Sequence, residues 1–141
     1  MKFHPNGTEK SMSPLKYCLD THPLIWYFTG QKTLSTDAKD ALDDIFSGKA
    51  DCFISSIVLL ETFHLSIKKK SFNFLTFLKQ IRLSNVIIVP LDKVILSACY
   101  RLPKNLDIHD RVITATSLVS NSFLITKDPT IRKLREIETL W

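Results

Sequence analysis

Residues 109–129 read HDRVITATSLVSNSFLITKDP, and this stretch contains a helix, a strand and the start of another helix. His109 to Ser120 has helical composition, and Phe123 to Thr126 is a short apolar run typical of a strand. Asp128 followed by Pro129 is a typical helix start, because Asp caps helices and Pro suits their first position. A helix that leads into a strand and then into another helix indicates an α/β protein.

The same alternation extends outward through the chain from Leu15. We expect further strands at residues 15–19, 52–54 and 86–89, and an edge strand near 139–141. Helices are expected over 23–28 and 91–102, and two more run from Ser35 or Thr36 to Phe46 and from Ser55 or Ser56 to about Ile67. A further helix is expected after a Ser71 cap, with a buried stripe formed by Phe72, Leu75, Leu78 and Ile81.

The length of 141 residues predicts one domain with a core of its own. Residues 1–14 are rich in Pro, Ser, Gly and Asn, so they are interpreted as a flexible leader or an added extension, and the domain is expected over 15–141. No run approaches the roughly 20 apolar residues of a bilayer-spanning helix, and the first residues lack the apolar core of a signal peptide. We expect a cytoplasmic protein without a membrane partner.

The cysteine and glycine content excludes several kinds of site. Cys18, Cys52 and Cys99 are odd in number and lie among apolar residues, which indicates reduced core thiols and disfavours a disulfide framework or a zinc site. Only three glycines are present, and no two are close enough to form a phosphate-binding loop. The formal net charge of +5 favours polyanionic partners.

Four acids fall at positions that can carry chemistry. Asp20 ends the first apolar run, Asp128 follows the strand at 123–126, Asp110 opens a helix, and Glu61 lies within an apolar helical stripe. Each of the three aspartates has a structural alternative as a cap, a partner of a helix dipole or a loop acid. Carboxylates that converge at the carboxyl ends of parallel strands would repel one another unless a hard cation such as Mg²⁺ or Mn²⁺ bound them. Phosphodiester hydrolysis is then the leading chemistry.

The segments LDTHPLIW (19–26), SSIVLLETFHL (55–65), HDRVITATSLV (109–119), FLITKD (123–128) and ETLW (138–141) occur in an order that resembles the PIN-domain ribonucleases, especially the VapC toxins of toxin–antitoxin pairs. The resemblance covers residues 15–141. It implies a three-layer α/β/α fold with a mostly parallel sheet of four to five strands. It also implies a metal-dependent endoribonuclease that uses Mg²⁺ or Mn²⁺, cleaves RNA, binds an antitoxin and forms a homodimer.

By this resemblance, the catalytic and metal-binding acids are Asp20, Glu61, Asp110 and Asp128, with the hydroxyl of Thr126 in support. The chain departs from the family near the third acid, where a proline is absent and Asp107 is either a further ligand or a helix cap. Thr114, Thr116 and Ser117 replace an alanine-rich stretch, and we expect local hydrogen bonds to satisfy their hydroxyl groups.

Basic and aromatic residues suggest how partners bind. Arg111 and Lys127 each adjoin a proposed ligand and are the expected RNA contacts. The aromatic groups around Trp26 and Phe74 exceed what one helical stripe can bury, so at least one ring of Phe72, Phe74 and Phe77 is expected to face a partner.

Other functions remain open at this point. One alternative is a binding module whose acids are only caps. Another is a phosphatase or phosphoacceptor α/β domain, although Asp20-Thr21-His22 lacks the second aspartate of such phosphatases. Glu61 and His64 have a spacing seen in di-iron bundles, but no second copy of this motif occurs.

Overall fold

The computed structural model describes residues 15–69 and 72–141, so the expected leader at 1–14 lies outside the described residues. The strands are β1 Lys16–Leu19, β2 Asp51–Ser55, β3 Val86–Val89, β4 Phe123–Ile125 and β5 Thr139–Leu140. The helices are α1 Thr21–Thr29, α2 Thr36–Phe46, α3 Ser56–Lys69, α4 Phe74–Leu83, α5 Lys93–Arg101, α6 Ile108–Ser120 and α7 Pro129–Arg132. The expected elements are therefore present in the expected order.

The five strands form one parallel sheet in the order β3-β2-β1-β4-β5. Helices flank this sheet in a three-layer α/β/α arrangement, as the sequence predicted. The chain builds outward from β1 to β2 and β3, and then returns to the other side of β1 with β4 and β5. This reversal creates a crevice between the carboxyl ends of β1 and β4, which is the usual place for a ligand in an open parallel sheet.

The carboxyl-terminal residues of both strands beside the crevice are fully buried. Cys18 and Leu19 in β1, and Leu124 and Ile125 in β4, have no exposed surface. Helix α6 packs on β1, β2 and β4, and α1 packs against α2 and α3. The residues that follow these strands are therefore attached to the buried centre of the sheet.

The cysteines behave as core residues, in agreement with the sequence prediction. Cys18, Cys52 and Cys99 are free and buried, and burial raises the pKa of the Cys18 thiol to about 12. Within the described residues, no helix combines the length and the apolar character needed to cross a bilayer.

The expectations for α4 were wrong in three details: the cap, the buried stripe and the exposed aromatic ring. Its N-cap is Asn73, whose side chain accepts a hydrogen bond from the backbone N–H of Thr76; Ser71 itself lies outside the described residues. Phe72 precedes the helix, and Leu75 is 78% exposed instead of sharing the buried stripe. None of Phe72, Phe74 and Phe77 is exposed, because Phe72 and Phe74 both pack on the ring of Phe77.

Candidate active site

A cavity of about 570 Å³ opens where β1 and β4 end. The four acids singled out in the sequence line it together, although they come from four separate segments of the chain. Its complete lining is Asp20, Thr21, His22, Pro23, Trp26, Glu61, Asp107, His109, Asp110, Lys127, Asp128 and Pro129.

Asp20 directly follows β1 and is partly buried. It caps α1 by accepting a hydrogen bond from the Thr21 N–H at 2.8 Å, and its second oxygen accepts one from the Thr126 hydroxyl at 2.7 Å. The Thr126 hydroxyl, which is buried, accepts in turn from the backbone N–H of Asp128 at 3.1 Å. Thr126 thus links the acids that follow β1 and β4.

Glu61 is held from two sides. The hydroxyl of Thr21, 3% exposed, donates to Glu61 Oε1 at 2.7 Å, and His109 Nδ1 lies 3.2 Å from Glu61 Oε2. Neither the contact of Thr21 with Glu61 nor that of His109 with Glu61 was predicted from the sequence. The available signal was their position, since each directly adjoins a proposed acid at a helix N-terminus.

Asp107 stands at the start of α6 and acts as its helix cap. Its Oδ1 accepts from the Asp110 N–H at 2.8 Å, while the residue also lines the cavity. Asp110 is half-buried in the first turn. Burial raises the pKa of Asp110 to about 6, and the negative charges of Asp107, Asp20, Asp128 and Glu61 add to this effect.

Asp128 is a helix cap as well as a cavity residue. Its Oδ1 accepts from the N–H groups of Thr130 and Ile131, at 2.8 and 3.1 Å, and so starts α7. Pro129 occupies the first position of the helix, as its sequence context predicted.

The charge in the cavity is not balanced. Burial raises the pKa of Asp20 above its usual range, and the charge of Glu61 adds to this effect, while hydrogen bonds from Thr126 and Thr21 and the charge of His22 oppose it. Burial is the main cause of the raised pKa values of Asp20 and Asp110, and the negative charge of neighbouring carboxylates adds to it.

The residue types fit a hard divalent cation. Carboxylate oxygens are the donors that Mg²⁺ and Mn²⁺ prefer. In the part of the chain that the structure describes, however, no three His, Cys, Asp or Glu side chains converge closely enough to hold a metal ion. Coordination by several of these acids would therefore require their side chains to move together.

The two basic residues expected to contact RNA have different surroundings. The guanidinium of Arg111 donates to four backbone carbonyl groups at 2.8 to 3.2 Å, those of Cys99, Leu102, Pro103 and Leu106. These bonds make Arg111 a structural residue of the α5–α6 connection, so we do not retain it as an RNA contact. Lys127 is exposed and lines the cavity.

The fold is similar to that of several solved structures. A chain of the VapBC2 structure from Rickettsia felis, bound to a promoter DNA fragment, has a TM-score of 0.68 and 19% identity over 89% of this chain and 98% of that chain. A chain of the toxin–antitoxin complex from Klebsiella pneumoniae gives 0.64 and 21%, with 89% and 96% covered. The DNA-bound VapBC from Salmonella typhimurium gives 0.65 and 16%, with 89% and 97% covered.

These structural likenesses establish the fold. No curated protein sequence matches the chain significantly. The family model described as PIN domain matches residues 17–137, which is most of the chain and includes all four proposed acids. The chain therefore belongs to the PIN domain family.

Proposed function

We propose that this protein is a metal-dependent endoribonuclease. Asp20, Glu61, Asp110 and Asp128 would hold one or two Mg²⁺ or Mn²⁺ ions. The observation that carries the proposal is the uncompensated negative charge in one cavity, where burial and neighbouring carboxylates raise the pKa of Asp110 to about 6. Purely structural capping gives no reason to collect acids from four segments around one cavity.

The chain's own residues would prepare the site. When bound, the metal would supply electrostatic stabilisation of the phosphoryl charge during displacement by water. Thr126 orients Asp20, while Thr21 and His109 orient the two oxygens of Glu61. Such supporting hydrogen bonds fix ligand orientation and typically change metal affinity or activity about 10- to 100-fold.

The biological role that we propose is that of a toxin in a toxin–antitoxin pair. The solved structures with the same fold include complexes described as toxin–antitoxin or VapBC, which supports an antitoxin partner for this chain. We further propose a homodimer and an RNA substrate. The alternative is a non-catalytic PIN-like binding module, for which removal of one acid would change neither metal binding nor RNA integrity.

Asp20→Asn tests the proposal. Asn retains the oxygen that caps α1 but removes a ligand charge, so RNA cleavage should fall by at least about 100-fold, while stability without metal stays equal or improves. Mg²⁺ should raise the melting temperature of the wild type more than that of the variant, because ligands that bind the folded state stabilise it.

Asp40→Asn, an exposed change on α2, serves as the matched control and should retain activity. Full RNA cleavage by Asp20→Asn, or a wild-type melting temperature that does not respond to Mg²⁺ and Mn²⁺, would contradict the proposal.

A further inference from the structure

Trp26 is the largest aromatic side chain in the wall of the acidic cavity. It is half-buried, and its indole packs edge-on against Trp141, with ring centroids 6.0 Å apart at 65°. The imidazole of His22, one helical turn earlier, lies 5.6 Å from it. These two neighbours hold the indole in place while part of it borders the cavity.

A lysine ammonium group lies near the Trp26 ring. Lys127 Nζ lies 6.0 Å from the Trp26 ring centroid, at the outer limit of a cation–π contact. The Lys127 side chain is exposed and directly precedes Asp128. An aromatic surface beside an exposed positive charge is the combination that binds single-stranded nucleic acid, in which bases stack on rings and phosphates pair with Lys or Arg.

Trp26 also separates the acidic cavity from a second one. A neighbouring cavity of about 280 Å³ shares His22 and Trp26 with the first, and adds polar and charged groups from α1 and α3. Its complete lining is His22, Ile25, Trp26, Thr29, Gln31, Leu65, Lys69 and Phe72. An RNA strand that runs from the acids across the indole would therefore meet further hydrogen-bonding groups and another lysine.

We propose that Trp26 is a stacking platform for the nucleobase next to the scissile phosphodiester, and that the RNA continues from there toward Lys69. The substrate is then single-stranded at the cleavage site, because a base must leave its own stack to lie on the indole. This inference rests on the proposed ribonuclease function and adds a binding subsite to it.

Kinetics of Trp26→Leu and Trp26→Phe test the platform. Base–aromatic stacking predicts that Trp26→Leu weakens RNA binding about tenfold, through KM and with little change in kcat, and that Trp26→Phe retains most of the affinity. An oligonucleotide with one abasic ribose, moved stepwise past the cleavage site, should reproduce the loss at one position. At that position Trp26→Leu should cause no additional loss.

The matched control is Tyr100→Leu, which removes an aromatic ring that is 90% exposed on α5 and does not line either cavity. Melting temperatures check that both Trp26 variants remain folded. The platform is contradicted, while the ribonuclease function stands, if the wild-type protein cleaves RNA and Trp26→Leu has the wild-type KM on the intact oligonucleotide and on every abasic one.

A binding measurement separates the platform from catalysis. The chain has two tryptophans, so Trp141→Phe leaves Trp26 as the only one, and the added Asp20→Asn prevents cleavage under the proposed function. A single-stranded octanucleotide with Mg²⁺ should quench Trp26 fluorescence, whereas inorganic polyphosphate should not. Equal quenching by polyphosphate, or unchanged binding of the octanucleotide in Trp26→Leu, would overturn the assignment.

Discussion

Three of the acids in the cavity are also helix caps. Asp20, Asp107 and Asp128 each accept backbone N–H groups with Oδ1, at the starts of α1, α6 and α7. A capping interaction of this kind stabilises a helix by about 1 kcal/mol and needs only one carboxylate oxygen. Capping and a functional role are therefore compatible in one residue, which explains why the sequence pattern of any single acid could not separate them.

Asp110 should make stability depend on pH in a defined direction. Its pKa is about 6 in the folded protein and 3.8 without perturbation, so the folded state loses stability as pH rises from about 4 to about 6. Asp110→Asn removes this penalty and should stabilise the metal-free protein at pH 7 by about 1 kcal/mol, a value reduced for partial solvent exposure, but have little effect at pH 3.5. Chemical denaturation in EDTA at the two pH values measures this. An equal change in the free energy of unfolding at the two pH values would mean that the folded protein does not raise the pKa of Asp110.

Adjacency in the sequence identified neighbours of the acids but not the groups that those neighbours contact. Arg111 adjoins Asp110 but turns to the α5–α6 connection, because consecutive helical residues point about 100° apart. Thr21 and His109 contact Glu61 across 40 and 48 residues of sequence, and local patterns carry no information about such distant pairs. The acids themselves were found because they follow strands or open helices.

At the scale of elements, hydrophobic periodicity and caps predicted most helices and strands to within about two residues. Helix α2 has the expected Ser35 cap, and β3 has the expected bounds. The α4 stripe failed because Phe72 lies before the helix, where helical spacing does not apply. A Ser at 71 and an Asn at 73 are equally good caps in the sequence, and only packing selects between them.

Helix α6 contains a buried hydroxyl group, that of Thr114, whose removal should stabilise the protein. Thr116 and Ser117 donate their hydroxyl groups to the carbonyl oxygens of Val112 and Ser122, as expected, but the Thr114 hydroxyl is fully buried and has no partner among the described residues. Thr114→Val should raise the free energy of unfolding by about 1 kcal/mol, because an unsatisfied buried hydroxyl is costly. In contrast, Thr116→Val breaks a hydrogen bond and should destabilise the protein by a similar amount. Urea denaturation measures the free energy of unfolding of both variants. A destabilised Thr114→Val would contradict the conclusion that the Thr114 hydroxyl lacks a hydrogen-bond partner.

The α5–α6 connection depends on the guanidinium of Arg111. Arg111→Ala leaves carbonyl groups of Cys99, Leu102, Pro103 and Leu106 without this donor, so we expect a loss of about 3 kcal/mol in unfolding free energy. Arg101→Ala, an exposed change on α5, is the control and should cost less than about 0.5 kcal/mol. A stable Arg111→Ala protein with weakened RNA binding would restore the original expectation for this residue.

At the scale of the whole molecule, the topology explains why the site could be located from the sequence. The reversal of strand order at β1 places the residues after β1 and β4 side by side, although more than 100 positions separate Asp20 from Asp128. The pattern of strands and helices is enough to predict an α/β domain. The strand order was not predicted, and the assignment of the distant acids to one site rested on the family resemblance.

The outer face of α3 leaves an apolar stripe exposed. Leu60, Phe63 and Ile67 are 62%, 44% and 59% exposed, and at 3.6 residues per turn they lie within an arc of about 60°. Glu61 points at least about 100° away from this arc, so a partner that covered the stripe would leave the acid directed into the cavity. The homodimer that we propose can therefore form through α3 without blocking the site.

Leu60→Lys tests the α3 stripe as the homodimer contact. A charge at a buried apolar interface loses its solvation, so the variant should sediment as a monomer at concentrations where the wild type sediments as a dimer. Leu96→Lys is the matched control, because Leu96 is similarly exposed, at 55%, but lies on α5. The folded state of both variants is checked by circular dichroism. A wild type that remains monomeric at about 100 µM, well above the Kd of a stable dimer, or a dimer that Leu60→Lys does not dissociate, would exclude this face as the contact between two copies.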